Sequence, residues 1–134
     1  MMAALVVFSL AAREFALDVS CVREVIRMVA ITPIPDAPAE VLGAIIVRGS
    51  SMLVVDLRLR FGLPHQPLTP DSPLMLIEAP DGTFAALVDQ VGGVVHLNTG
   101  PDSAGMIHIG ERLVYRLEPE RLLTDSMRLL VEAR

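Results

Sequence analysis

Asp56 and Asp89 each close an apolar run, Val54-Val55-Asp56 and Leu87-Val88-Asp89, and carboxylates at such strand ends invite a general acid–base reading. Neither is followed by the Thr/Ser-Gly step of an aspartic protease half-site, so the reading carried forward is a carboxylate capping a strand end or a helix start. Cys21 with His65, His96 or His108 would supply a thiol nucleophile and a base. No local signature surrounds Cys21, and a structural thiol is the plainer assignment. The three histidines lack metal spacing such as H-x₃-H, and Gly92-Gly93 lies between β-rich segments instead of opening a helix over a phosphate. The sequence therefore leads us to expect no catalysis, no metal and no cofactor.

The elements that would position these groups are short and β-rich. Ala4 to Leu10 is apolar on both faces, whereas Glu14 to Val19 alternates, with Phe15, Leu17 and Val19 facing one way. Ala11-Ala12-Arg13 connects them as a hairpin, and Ser20 starts a single helical turn before the β-rich Arg23 to Val29. Pro33, Pro35 and Pro38 make the next stretch an extended loop. Gly43 to Arg48 and Met52 to Asp56 flank Gly49-Ser50, where glycine at the first turn position suits a type II′ hairpin. Asp56 caps a short helix, Leu57 to Phe61, stopped by Gly62. His65 to Pro73 carries three prolines and is the expected linker between two halves of a single domain spanning 1–134.

The second half repeats the style. Leu74 to Ala79 and Thr83 to Asp89 flank a Pro80-Asp81-Gly82 turn, and Val91 to Leu97 follows as a strand. Met106 to Ile109 and Arg112 to Leu117 flank Gly110-Glu111. Pro119 starts a C-terminal helix through Leu122 and Leu123, with its extension over Met127 to Val131 left open by period alone. About nine or ten short strands at this spacing mean barrels or a sandwich.

Composition narrows the function classes. The chain is 52% hydrophobic but only 4% aromatic, with no Trp, so its core is aliphatic and leans toward β. Net charge is −5, which disfavours a nucleic-acid partner; all basic residues are Arg. The longest apolar run, Val41 to Val47, is interrupted by Gly43 and too short to span a bilayer, so no membrane insertion is expected. Met2 to Ala12 lacks the basic segment of a signal peptide and runs straight into strand sequence. A lone Cys21 suits a reducing cytoplasm. Met1 at the start and a closing helix at the end lead us to expect a stand-alone protein.

Two residues resist a bland reading. In an extended strand, Val22, Glu24, Ile26 and Met28 share a face, so Glu24 either interrupts an apolar stripe or marks a register break. Arg48 sits at the tip of an apolar strand. It is either an ordinary solvated hairpin residue or a guanidinium presented rigidly to a partner.

Leu17-Asp-Val-Ser-Cys-Val-Arg-Glu-Val-Ile26 resembles the "y-a-l-p-v-x-x-V-x-E-V-I" stretch of the CheW chemotaxis coupling family, and Ile34-Pro-Asp-Ala-Pro38 its "l-P-x-a-P". Gly43-Ala-Ile-Ile-Val-Arg-Gly-Ser-Ser-Met-Leu-Val-Val-Asp-Leu57 is similar to its most diagnostic stretch, "G-x-x-N-x-R-G-x-x-x-P-V-x-D-L". Leu87-Val-Asp-Gln-Val91 resembles "V-D-x-V", and Leu113 to Leu123 the closing strand and helix. The likeness runs in order over nearly the whole chain. Ile46 stands where the family has Asn, Leu53 where it has Pro, and Ala85 where it has Gly. The first of these departures bears on receptor recognition.

The resemblance implies an all-β fold of two SH3-like five-stranded β-barrel subdomains packed together, with short helices including one near the C-terminus. It implies a non-catalytic cytoplasmic adaptor, associated with receptor arrays, that couples the tip of methyl-accepting chemoreceptors to the regulatory domain of a CheA-type histidine kinase. Carried over by position, Val22, Glu24, Gly43, Arg48 and Val91 shape the receptor site. Val22 and Val91 would give apolar contact, Gly43 close approach, and Arg48 with Glu24 oriented charge. The resemblance assigns no kinase-facing residue. Rival readings are an adaptor of a pilus-motility or other non-flagellar array, a piece of a larger fusion, and a small hydrolase or ligand-binding barrel, which a convergent polar pocket would favour.

Overall fold

The computed structural model describes residues 2–98 and 105–132. Ten strands form two five-stranded sheets. The first contains β1 (Met2–Leu10), β2 (Arg13–Asp18), β8 (Gln90–Asn98), β9 (Gly105–Ile109) and β10 (Arg112–Arg116), in the order β8-β1-β2-β10-β9. The second contains β3 (Val22–Arg27), β4 (Val41–Val47), β5 (Ser50–Asp56), β6 (Pro73–Ala79) and β7 (Gly82–Leu87), in the order β3-β6-β7-β5-β4. Each sheet has one parallel pair, β2–β10 and β5–β7, and is otherwise antiparallel. The two are therefore the same barrel, circularly permuted: β8, β9, β10, β1, β2 correspond to β3, β4, β5, β6, β7.

That permutation moves the boundary between halves. The segment from His65 to Pro73 joins β5 and the short helix α1 (Leu57–Arg60) to β6 within one sheet, so it is not the linker expected from its prolines. The chain crosses at the 3₁₀ turn Val19–Cys21 and returns at Val88-Asp89. Proline marks where a chain leaves regular structure, not which sheet it next joins.

Strands apolar on both faces follow from this arrangement. Leu53 and Val55 of β5, Met75 and Ile77 of β6, and Phe84 and Ala86 of β7 bury one face in a core shared with Val6, Phe8, Leu10 and Leu17 of the first barrel. The alternate residues Met52, Val54, Leu74, Leu76, Ala85 and Leu87 fill the second barrel's own interior. Burying each such large side chain contributes about 1.5–3 kcal/mol, so the seam holds the halves together. Pro119–Leu122 forms only a 3₁₀ turn, and a separate helix α2 (Asp125–Glu132) follows it, lending Met127 and Val131 to the seam.

Two hairpins turn differently from expectation. Val47 pairs with Ser50, so the turn residues are Arg48 and Gly49, both at positive φ (48° and 82°) as in a type I′ turn, not Gly49-Ser50 in type II′. Leu10 pairs with Arg13, which leaves Ala11 and Ala12 as the loop, at φ 51° and 65°. The single helical turn is capped by Asp18, whose Oδ1 accepts the Ser20 N–H at 3.0 Å, not by Ser20. That bond is the main reason the Asp18 carboxyl lies below the usual range.

Candidate functional site

Glu24 is positioned by a β-bulge. Val22 pairs with Ile77 and Glu24 with Leu76, so Arg23 is the extra residue and the strand changes register there. Val22 consequently packs against the seam core while Ile26 and Met28 pack into the second barrel. Of the two sequence readings of Glu24, the register break is the one realised.

The break carries Glu24 to Arg48, which forms an ion pair with it. The pair bridges β3 and the tip of the β4–β5 hairpin, elements at opposite ends of the sheet order. The Arg48 side chain is 68% exposed, so the pair itself adds at most about 1 kcal/mol to stability. A non-glycine residue in the left-handed region costs about 1–2 kcal/mol, and a type I′ turn demands that conformation here. The hairpin thus fixes the Arg48 backbone and leaves its guanidinium exposed beside Glu24.

Gly43 is held differently from the other four residues. Its φ is +147°, and a Cβ placed on it would lie 2.3 Å from the carbonyl oxygen of Thr32. The close approach at Gly43 is made by this chain's own loop, which exchanges hydrogen bonds between Thr32 and Ala44 at 2.9 and 2.8 Å and closes the barrel beside the pair.

Val91 is the counterpart of Val22. It pairs with Phe8, and the register shift after it makes Gly92 the extra residue. Val22 and Val91 thus occupy matching positions in the two permuted barrels, each before a bulge and each half-buried at the margin of the shared core. Ile46, where the resemblance leads one to expect Asn, is 73% exposed on β4, two residues before the Arg48 turn.

A second cluster lies at the junction of the barrels. Arg58 donates from Nε and Nη2 to the two carboxylate oxygens of Asp89 at 2.7 and 2.5 Å, and from Nη1 to the Pro64 carbonyl. Asp89 Oδ2 also accepts the Ala11 N–H at 2.8 Å, tying the β1–β2 turn to α1. Arg58 is the main reason that the Asp89 carboxyl sits below the usual carboxylate range; Asp89 in turn raises Arg58. Asp56, 1% exposed, caps α1 through the Arg58 and Leu59 N–H groups and lies 2.7 Å from His65 Nδ1.

Asp56, Arg58 and Asp89 line a polar depression of about 460 Å³ with Gln66, Thr69, Asp71 and Gln90. The Asp56 and Asp89 carboxylates are committed to partners within the fold, so capping and bracing, not acid–base exchange, is what their geometry does. Sequence reasoning missed Arg58 and named His65 only as a possible base for Cys21, whereas it partners Asp56; both lie in the helix and loop after the Asp56 cap. Burial, meanwhile, pushes the Cys21 thiol up, away from the thiolate a nucleophile requires. Among the described residues no group of three His, Cys, Asp or Glu is arranged to hold a metal ion, and no helix is long and apolar enough to cross a membrane.

Comparison with known proteins agrees with this architecture. A solved structure of the scaffolding protein TtCheW from Thermoanaerobacter tengcongensis superposes with a TM-score of 0.82 at 28% identity, covering 95% of this chain and 96% of that one. That match identifies the two sheets as SH3-like subdomains. Chemotaxis protein CheW of Rhizobium meliloti is 31% identical over 91 residues, 68% of this chain. The matched stretch spans 59% of that relative's own length. A Rhizobium etli protein described as "Probable chemotaxis protein CheW" is 24% identical over 91% of this chain and 88% of its own. With the CheW-like domain profile matching residues 4–127, this chain belongs to the CheW-like family.

Proposed function

We propose that this chain is a non-catalytic cytoplasmic adaptor that couples a chemoreceptor tip to the regulatory domain of a CheA-type histidine kinase. The observation that carries the reading is the paired placement of Val22 and Val91. Matching positions in two permuted barrels offer one elongated apolar ligand a contact from each half, with the Glu24–Arg48 pair beside one of them. A receptor's hairpin tip is a ligand of that kind. Ile46 shifts the expected contact from hydrogen bonding toward apolar packing.

The test is Arg48→Ala, measured for melting temperature and receptor-fragment affinity on the same protein. Stability should move by no more than about 0.5 kcal/mol, because the residue is exposed and alanine keeps the same positive φ. Receptor affinity should fall by about 2 kcal/mol, the loss of an oriented charge at an interface. Unchanged binding would remove Arg48 from the site, and a collapsed melting temperature would make it structural.

A further inference from the structure

The outer face of β2, β10 and β9 carries apolar side chains that the fold leaves uncovered. Met106 is 52% exposed, Leu113 51% and Tyr115 38%. They flank two adjoining depressions of about 570 and 310 Å³, and Phe15 and Tyr115 line both. Exposed aliphatic residues scattered singly need no explanation, but a grouped set around concave space does.

The rim of this groove is basic. Arg13 and Arg112 line the larger depression, Arg60 and Arg121 the smaller, and Glu14 is the one acid lining either. Glu14 lies 3.4 Å from Arg112, and Arg60 donates to the Arg121 carbonyl. Arg13 and Arg121 are exposed, and among the described residues neither forms an ion pair. In a chain of net charge −5, four arginines around an apolar centre are a local reversal of sign.

We infer that this groove docks an acidic segment of a partner protein, with aliphatic or aromatic anchors entering the two depressions and carboxylates meeting Arg13 and Arg121. Concavity argues for inserted side chains over a membrane surface, which would be met by protruding apolar residues and would be repelled, if anionic, by the net negative charge. A second copy paired face to face would oppose arginine to arginine. The groove shares no residue with the Val22, Glu24, Gly43, Arg48 and Val91 set, so the inference stands apart from the receptor reading.

Tyr115 is the only tyrosine and the chain has no Trp, so intrinsic fluorescence reports directly on the groove. The probe is a synthetic peptide of Glu, Leu and Phe, compared with its counterpart bearing Gln for Glu. The acidic peptide should change Tyr115 emission saturably and bind more weakly as salt rises. The Gln counterpart and the Arg13→Glu/Arg121→Glu variant should each lose about tenfold in affinity or more. Leu113→Ser should weaken binding while leaving the melting temperature in place. The inference is overturned by equal affinity for the two peptides, by variants that bind as the parent does, or by no saturable change. It is equally overturned if phosphatidylserine vesicles alter the emission in place of the peptide, or if the signal tracks protein self-association.

Discussion

The two barrels share one topology and differ in how well they are filled. Among the described residues, seven buried side chains, from Ile45 to Leu87, form the interior of the second, while four, Leu5, Val7, Ala16 and Val114, form that of the first, with the partly buried Ala3, Val95, Leu97, Ile107 and Ile109 packed against them. The second closes tightly, with Thr32 against Gly43, and its exposed strand hydrophobics are Val25 and Ile46. The first leaves Met2, Val94, Met106, Leu113 and Tyr115 exposed along its strands. The second half buries more of its apolar residues in its own core, and the first leaves more of them on its surface. We read the first barrel as the half with more uncovered apolar surface, while four of the five residues of the receptor reading, Val22, Glu24, Gly43 and Arg48, lie on the second.

Matched truncations test this contrast with the largest effects. Leu76→Ala in the filled interior should cost about 3–5 kcal/mol, and Leu5→Ala in the thin one nearer 2–3, because a sparse interior collapses more readily around a cavity. Chemical denaturation of both variants checks it; equal costs would break the contrast.

Glycines sharpen the comparison at smaller scale. Gly43→Ala meets the Thr32 backbone as well as an unfavourable φ, and should cost about 3 kcal/mol. Gly93, at φ +138° on β8 with nothing within 4 Å of an added Cβ, should cost about 1–2 kcal/mol on the same change, from backbone strain alone. Thermal unfolding separates the two.

Most of the strands were legible from the sequence, because period-2 alternation is a local signal. Even the doubly apolar β1 was readable as a strand, with its second face explained once a seam existed. The order of strands was not legible. β1 and β2 find partners in β8 and β10, late in the chain, and nothing within Met2–Asp18 encodes that distance. The Arg48 turn was misassigned for a physical reason: glycine tolerates several turn types, and the two-residue register places Arg48 itself at positive φ. Residue pattern singled out Glu24 and Arg48 separately and only the family resemblance joined them, because their contact depends on the bulge at Arg23, which residue types do not announce.

The smallest effect concerns the junction between the barrels. Because Asp89 lies below the usual carboxylate range in the fold, its bonds stabilise the protein fully above the unfolded carboxyl's pKa. That stability is lost as pH falls below about 4. Asp89→Asn should cost about 1–2 kcal/mol near neutrality and flatten the acid limb of the stability curve. Urea unfolding across pH would show an unchanged acid limb if the Arg58–Asp89 link did not brace the halves.

The central claim is that this chain is a coupling adaptor, and the most direct measurement is calorimetric titration with the regulatory domain of its cognate CheA-type kinase. The account predicts a one-to-one complex with micromolar or tighter affinity, about −8 kcal/mol or better, retained in Arg48→Ala while receptor binding falls. No heat and no co-elution at tens of micromolar, a threshold on roughly the same scale, would contradict it.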